Sequence, residues 1–124
     1  MALILVVDDE PTIRRLVAAV LIQSGCEPVT APDAETAMRA LDELSPDAII
    51  TDIRLPGMDG VEFAGKVREN ADFAEIPLAF ISAFEGRPMS ISPPVTYFQK
   101  PFDVDTLVEW VIKVCRTCDD SSDA

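Results

Sequence analysis

Four short apolar runs, each followed by polar side chains, are the feature that most constrains the fold of this chain. The runs begin at Leu3, Asp47, Leu78 and Val95, and the polar residues at their ends are Asp8, Asp9, Asp52, Ser82 and Lys100. Short apolar runs bounded by Pro and Gly are typical of buried strands. Because burying a carboxylate without a partner is costly, these ends indicate one polar crevice at one edge of a parallel sheet. Ligands bind at that edge in open α/β sheets.

The segments between the runs have helical patterns. Pro11 favours a helix start soon after the first strand, and Asp33 and Asp103 are typical helix N-caps. A weaker strand from Cys26 to Ala31 contains Pro28, which places it at an edge of the sheet. This alternation predicts a doubly wound α/β domain with a five-stranded parallel sheet.

The segment from Phe84 to Pro94 interrupts the alternation. It contains three prolines and a glycine, and it has room for one helical turn at most. We therefore expect the fourth helix to be short or missing. A segment with so little to bury has low local stability, so we also expect residues 84–94 to carry a conformational switch next to Ser82. A passive connector is the alternative.

Length and charge exclude several classes of protein. A chain of 124 residues forms one domain, and its net charge of −12 disfavours binding to nucleic acid. No apolar run is long enough to span a membrane. The chain has no His, and its C-x-x-C ends a helix, so we expect ordinary thiols in a reducing cytoplasm rather than a zinc or redox site. Residues 119–124 are predicted to form a disordered acidic tail.

The polar crevice has the composition of a phosphoryl site. Converging carboxylates repel one another, and Mg²⁺ with its preference for oxygen ligands removes that repulsion. Lys100 and Ser82 add an ammonium and a hydroxyl, which suit the oxygens of a phosphoryl group. With no His and no activated Ser or Cys at the crevice, a carboxylate is the available nucleophile. A purely structural cluster of acids neutralised by Lys100 is the alternative.

Together these motifs resemble the receiver domain of two-component response regulators. The matching motifs are Leu5-Val6-Val7-Asp8-Asp9-Glu10, Asp52 with Arg54-Leu55-Pro56-Gly57-Met58-Asp59-Gly60, Ser82-Ala83, and Tyr97-Phe98-Gln99-Lys100-Pro101-Phe102. The resemblance extends from Leu3 to about Arg116. It implies a flavodoxin-like sheet with strand order 2-1-3-4-5 and a receiver domain over residues 1–118.

The resemblance also implies a role for each acid. Asp52 would be the phosphoacceptor, which takes its phosphoryl group from a phosphohistidine on a sensor histidine kinase or a histidine phosphotransfer protein. Asp9, Asp52 and the backbone carbonyl of Arg54 would bind Mg²⁺ directly, and Asp8 would bind it through water.

The remaining motif residues would hold and sense the phosphoryl group. Ser82 and Lys100 would bind its oxygens, and Tyr97 would be the aromatic switch residue. The Lys100–Pro101 peptide bond would be cis, as is usual in the family.

The function implied is that of a stand-alone, single-domain response regulator, monomeric or weakly dimeric, which passes a signal or a phosphoryl group to another protein. Such a domain is not a metabolic enzyme, because it catalyses only its own phosphorylation and slow dephosphorylation. A dehalogenase-like phosphatase is an alternative, but it needs a general acid where this chain has Arg54. A receiver-like domain that binds partners without phosphorylation and a flavin-binding protein are the others.

Overall fold

The computed structural model describes residues 2–82, 94–100 and 102–115. Strands and helices alternate along these residues up to β4. The strands are β1 (Leu3–Val7), β2 (Glu27–Ala31), β3 (Ala48–Asp52), β4 (Leu78–Ser82) and β5 (Val95–Gln99). The helices are α1 (Pro11–Gln23), α2 (Ala34–Leu44), α3 (Gly60–Glu69) and α4 (Val104–Val114).

The five strands form one parallel sheet in the order β2-β1-β3-β4-β5. This confirms the predicted doubly wound, flavodoxin-like topology, with the strand that contains Pro28 at one edge. Because all strands run in the same direction, their carboxyl ends lie along the same edge of the sheet. The polar residues at the ends of β1, β3 and β5 therefore lie at the same edge of the sheet.

Alternate residues of the central strands contribute to two separate cores. Leu5 and Ile49 lie in a core that is covered by α2 and α3, while Val6 and Ile50 lie in a core that is covered by α1 and α4. This follows from the pleat of a strand, which points successive side chains to opposite faces. With both faces covered, β1 and β3 are buried along nearly their whole length.

Three helices begin at acidic caps, and two of these caps, Asp33 and Asp103, are the ones predicted above. Asp33, Asp59 and Asp103 each accept a hydrogen bond from a backbone N–H two or three residues further on, at 2.8, 2.8 and 3.0 Å. Asp59 thus caps α3, the role that its position before Gly60 favours over that of a metal ligand. Helix α1 ends before Gly25, whose φ of +86° suits a glycine.

Some expectations from the sequence differ from the structure. Leu16 repeats at helical spacing with Ile13, Val17, Val20 and Leu21, a pattern that predicts a buried side chain, yet it is 43% exposed. Helix α1 buries only Val17 and Leu21, and Leu16 is turned about 100° away from Val17 around the helix axis. The sequence predicts a short helix from Val61 to Arg68, and α3 extends one residue beyond each end of that span.

Other expectations concern parts of the chain outside the described ranges. They are the short fourth helix and the switch within residues 84–94, the cis bond at Pro101, and the acidic tail of residues 119–124. Of the cysteines that the structure describes, Cys115 is a free, buried thiol, as expected, whereas Cys26 is disulfide-bonded, which differs from the expectation of ordinary thiols. No helix within the described ranges combines the length and the apolar character that crossing a membrane requires.

Candidate functional site

The carboxyl ends of β1 and β3 bring four acidic side chains together. Asp8, Asp9, Glu10 and Asp52 each contribute a carboxylate oxygen to a group whose members lie within 4.8 Å of one another. Asp8 and Asp52 are 2% and 6% exposed, whereas Asp9 and Glu10 face solvent. The sequence predicted that Asp8, Asp9 and Asp52 converge, and the structure places them together because β1 and β3 are adjacent.

Lys100 reaches into this group from the end of β5. Its Nζ atom lies 3.2 Å from Asp8 Oδ2, 2.9 Å from Glu10 Oε1 and 3.1 Å from Asp52 Oδ2. A lysine ammonium has three N–H donors, and here three carboxylates accept from it. The lysine therefore links the end of β5 to the ends of the two central strands.

Burial and the neighbouring charges both shift the pKa values of Asp8 and Lys100. Burial raises the pKa of Asp8, a tendency that the Glu10 N–H and Lys100 reduce and the Asp52 carboxylate reinforces. Burial alone would lower the pKa of Lys100, but hydrogen bonds to Glu10 and Asp52 and the charge of Asp8 outweigh it. The pKa of Lys100 therefore lies well above its usual value, and its ammonium stays charged at neutral pH.

Backbone hydrogen bonds fix the orientation of the buried acids. Asp8 Oδ1 accepts from the Glu10 N–H at 2.9 Å, and Asp52 Oδ1 accepts from the Arg54 N–H at 3.2 Å. Each carboxylate thus uses one oxygen to hold its own turn and the other to bind Lys100. Arg54, predicted to offer its backbone carbonyl to a metal, lies two residues after Asp52 in this turn.

The loop between β3 and α3 is held against the end of β3 at Gly60. The Gly60 N–H donates to the Ile53 carbonyl at 2.7 Å. A Cβ atom at Gly60 would overlap the Asp52 backbone carbonyl oxygen, so only glycine fits here. This close approach fixes where the loop after Asp52 returns to the end of β3.

Arg14 and Glu10 also belong to the site. The position of Arg14 near the start of α1 favours a solvated side chain over one at the acidic crevice, but Arg14 Nη1 donates to the Asp8 backbone carbonyl at 2.6 Å. Glu10 had no predicted role. A sequence signal existed for both residues, because an acid two positions after Asp8 and an arginine one helical turn further on lie close to the end of β1.

The two predicted switch residues lie on neighbouring strands. Ser82 is the last residue of β4 and pairs with Gln99, and the structure describes its backbone only. Tyr97 lies in β5, half-buried, and its ring stacks on Phe80 with 5.5 Å between centroids. Tyr97 and Lys100 are thus three positions apart, at the edge of the sheet next to β4.

The acidic group is chemically suited to a hard cation. Its donors are carboxylate oxygens, which Mg²⁺ prefers, and two of them are backed by backbone N–H groups that hold them in place. Asp9 is exposed and offers an accessible carboxylate beside the buried pair. These residues could hold a divalent cation at the end of β1 and β3.

Comparisons with known proteins agree with this description. The family model of the response regulator receiver domain matches residues 4–112. The phosphate regulon regulatory protein PhoB of Escherichia coli is 36% identical over 117 residues, which are 91% of this chain and 51% of PhoB. The chain thus spans about half the length of that relative.

Two further proteins resemble this chain over most of their length. An uncharacterised 14.6 kDa protein of Leptolyngbya boryana is 33% identical over 116 residues, covering 90% of this chain and 88% of that protein. The structure of the chemotaxis protein CheY4 of Vibrio cholerae superposes with a TM-score of 0.82 at 30% identity, covering 92% and 98% of the two chains. With its strand order, its acidic group and its lysine at the end of β5, the chain belongs to the response regulator receiver domain family of two-component signalling.

Proposed function

We propose that Asp52 accepts a phosphoryl group from the phosphohistidine of a sensor histidine kinase or a histidine phosphotransfer protein. The observation that best supports this assignment is the environment of Asp52. It ends the central strand, with one carboxylate oxygen on the Arg54 N–H and the other on the Lys100 ammonium. Receiver domains as a family take phosphate from such donors, and this chain belongs to that family.

In the proposed reaction, an Asp52 carboxylate oxygen attacks the phosphorus. The new P–O bond forms as the P–N bond of the phosphohistidine breaks, and the imidazole of the donor leaves with the electron pair. The burial of Asp52 excludes most water from the nucleophile. Its hydrogen bond from the Arg54 N–H orients the carboxylate before the donor arrives.

The remaining residues would stabilise the transferred group. Lys100 would donate from its ammonium to one phosphoryl oxygen, the Ser82 hydroxyl would donate to another, and Tyr97 would respond as the switch residue. Asp9, Asp52 and the Arg54 backbone carbonyl would hold Mg²⁺, with Asp8 acting through water. Bound Mg²⁺ would neutralise negative charge on the phosphoryl oxygens.

The output of this domain would pass through another protein. A receiver domain over residues 1–118 that acts alone in the cytoplasm, as a monomer or weak dimer, would signal to a partner or relay the phosphoryl group to it. Its only chemistry would be its own phosphorylation and slow dephosphorylation.

Labelling of Asp52 tests the proposal. Incubation with acetyl phosphate and Mg²⁺ should give an acid-labile, hydroxylamine-sensitive acyl phosphate on the wild-type chain, and chelation with EDTA should prevent it. Asp52→Asn should abolish this label, because the amide is not a nucleophile. Mass spectrometry after borohydride trapping locates the modified residue.

Asp59→Asn is a matched control for that experiment. It makes the same change in the next loop, and asparagine caps a helix as well as aspartate does, so labelling should equal that of the wild type. Undiminished label in Asp52→Asn, mapping to Asp8 or Asp9, would falsify the assignment.

A further inference from the structure

The three carboxylates that bind Lys100 differ sharply in exposure. The side chains of Asp8 and Asp52 are 3% and 8% exposed, whereas that of Glu10 is 58% exposed. The contact with Glu10 is nevertheless the shortest of the three, at 2.9 Å. Glu10 precedes α1 at the N-cap position, but its side chain makes no capping hydrogen bond. Within the described ranges, Lys100 is the hydrogen-bond partner of its carboxylate.

We propose that Glu10 is a positioning residue for Lys100. It holds the ammonium over Asp52 in the unphosphorylated protein, and it gives up this contact when a phosphoryl oxygen arrives. The inference rests on the proposed function of Asp52, since it concerns the same site.

Glu10 is the partner that Lys100 releases, because its exposed carboxylate can be hydrated once the contact is broken. Three carboxylates occupy the three N–H donors of Lys100, so one donor has to be freed before it can bind a phosphoryl oxygen. Breaking the contact with Asp8 would leave a buried carboxylate without its counter-charge. Breaking the contact with Glu10 costs little, because water solvates an exposed carboxylate. Lys100 keeps three partners when a phosphoryl oxygen replaces Glu10.

In this arrangement, Glu10 competes with the phosphoryl group for Lys100. Two substitutions separate this contact from the charge of Glu10. Glu10→Gln keeps the length of the side chain and removes its charge. Glu10→Asp keeps the charge but shortens the side chain by one methylene, and an aspartate at the N-cap turns toward the first backbone N–H groups of α1.

The experiment measures the affinity for the phosphate mimic beryllofluoride, in Mg²⁺, and the rate of labelling by acetyl phosphate. Both Glu10 variants should bind beryllofluoride and accept phosphate roughly two- to fivefold better than the wild type, the range expected for an exposed ion pair. Glu43→Gln, which removes an exposed charge from α2, should match the wild type. In a Lys100→Ala background, the Glu10 substitutions should leave the affinity for beryllofluoride unchanged.

Three results would overturn the inference. The first is no change in either Glu10 variant. The second is a gain in Glu10→Gln alone, which would assign the effect to charge near the site rather than to the contact with Lys100. The third is a gain of equal size in the Lys100→Ala background. A wild-type chain that takes no label on Asp52 would overturn the proposed function as well, so the two failures are distinguishable.

Discussion

The central strands β1 and β3 supply the site with acids, and the edge strand β5 leads to its lysine. These two regions of the sheet differ in how closely they are packed. Every residue of β3 is buried, as are four of the five in β1, and these strands lead to Asp52 and Asp8. Strand β5 leads to Lys100, yet four of its residues are half-buried and Gln99 is exposed. The two acids are therefore held by closely packed strands, whereas the lysine follows a strand whose residues are only partly buried.

This difference indicates which part of the site adjusts. The buried carboxylates are fixed by backbone hydrogen bonds, so a donor meets them already oriented. Lys100 combines a flexible four-carbon side chain with a less buried strand, so it can follow an incoming phosphoryl oxygen at low cost. The acids define the position of the reaction, and the ammonium adapts to it.

Gly60→Ala is the strongest test of the packed centre. The new Cβ atom would overlap the Asp52 backbone carbonyl oxygen, and backbone cannot yield as a flexible side chain can. We expect a loss of about 3 kcal/mol or more in the free energy of unfolding, measured by urea denaturation.

Gly65→Ala is its control in the same helix. Apart from the backbone of α3 itself and the two chain neighbours, no atom lies within 4 Å of a Cβ at Gly65, so alanine there should stabilise α3 by roughly 0.5–1 kcal/mol. Equal effects of the two substitutions would mean that the end of β3 yields easily.

A pair of identical substitutions compares the centre with the edge directly. Val6→Ala in β1 removes a side chain that is 1% exposed and should cost about 2–3 kcal/mol. Val95→Ala in β5 removes a half-buried one and should cost about 1 kcal/mol. Urea denaturation of both variants gives the two values, and equal losses would contradict the view that β5 is the softer strand.

The smallest expected effect is a pH dependence at Asp8. Burial raises the pKa of Asp8 in the folded protein, so the folded state holds this proton more tightly than the unfolded chain does. This contribution to stability is present below the unfolded pKa and is lost as pH rises through the folded pKa. In metal-free buffer at pH 7, Asp8→Asn should therefore raise Tm by a few degrees, and the gain should shrink as the pH falls toward 4.

Asp42→Asn, the same change on the exposed surface of α2, should leave Tm unaltered at every pH. A gain for Asp8→Asn that stays constant between pH 4 and 7 would mean that titration of Asp8 is not its cause.

The sheet and most of the site could be predicted from the sequence because both depend on local patterns. Apolar runs mark β1 and β3, and in a parallel sheet the residues that follow such runs meet at one edge. The convergence of Asp8, Asp52 and Lys100 needs no other information. The helix start at Asp33 has an equally local cause, a side chain that bonds a nearby N–H.

The features that could not be predicted depend on contacts between distant segments. Glu10 and Lys100 are 90 positions apart, and nothing local to either residue specifies their contact. The exposure of Leu16 depends on how much of α1 the neighbouring elements cover, which periodicity does not reveal. The bond from Arg14 to the Asp8 carbonyl depends on one rotamer among many that a long side chain can adopt.

The strand order also has a consequence for the growing polypeptide. β1, β2 and β3 precede β5 in the chain, so Asp8 and Asp52 can meet during synthesis before Lys100 has been added. Until then, pairing of β3 with β1 would bring two acids together without the cation that neutralises them, and their repulsion opposes that pairing. The arrival of Lys100 removes this repulsion. In a nascent chain, the addition of β5 to the sheet and the neutralisation of the two acids by Lys100 thus belong to the same late step.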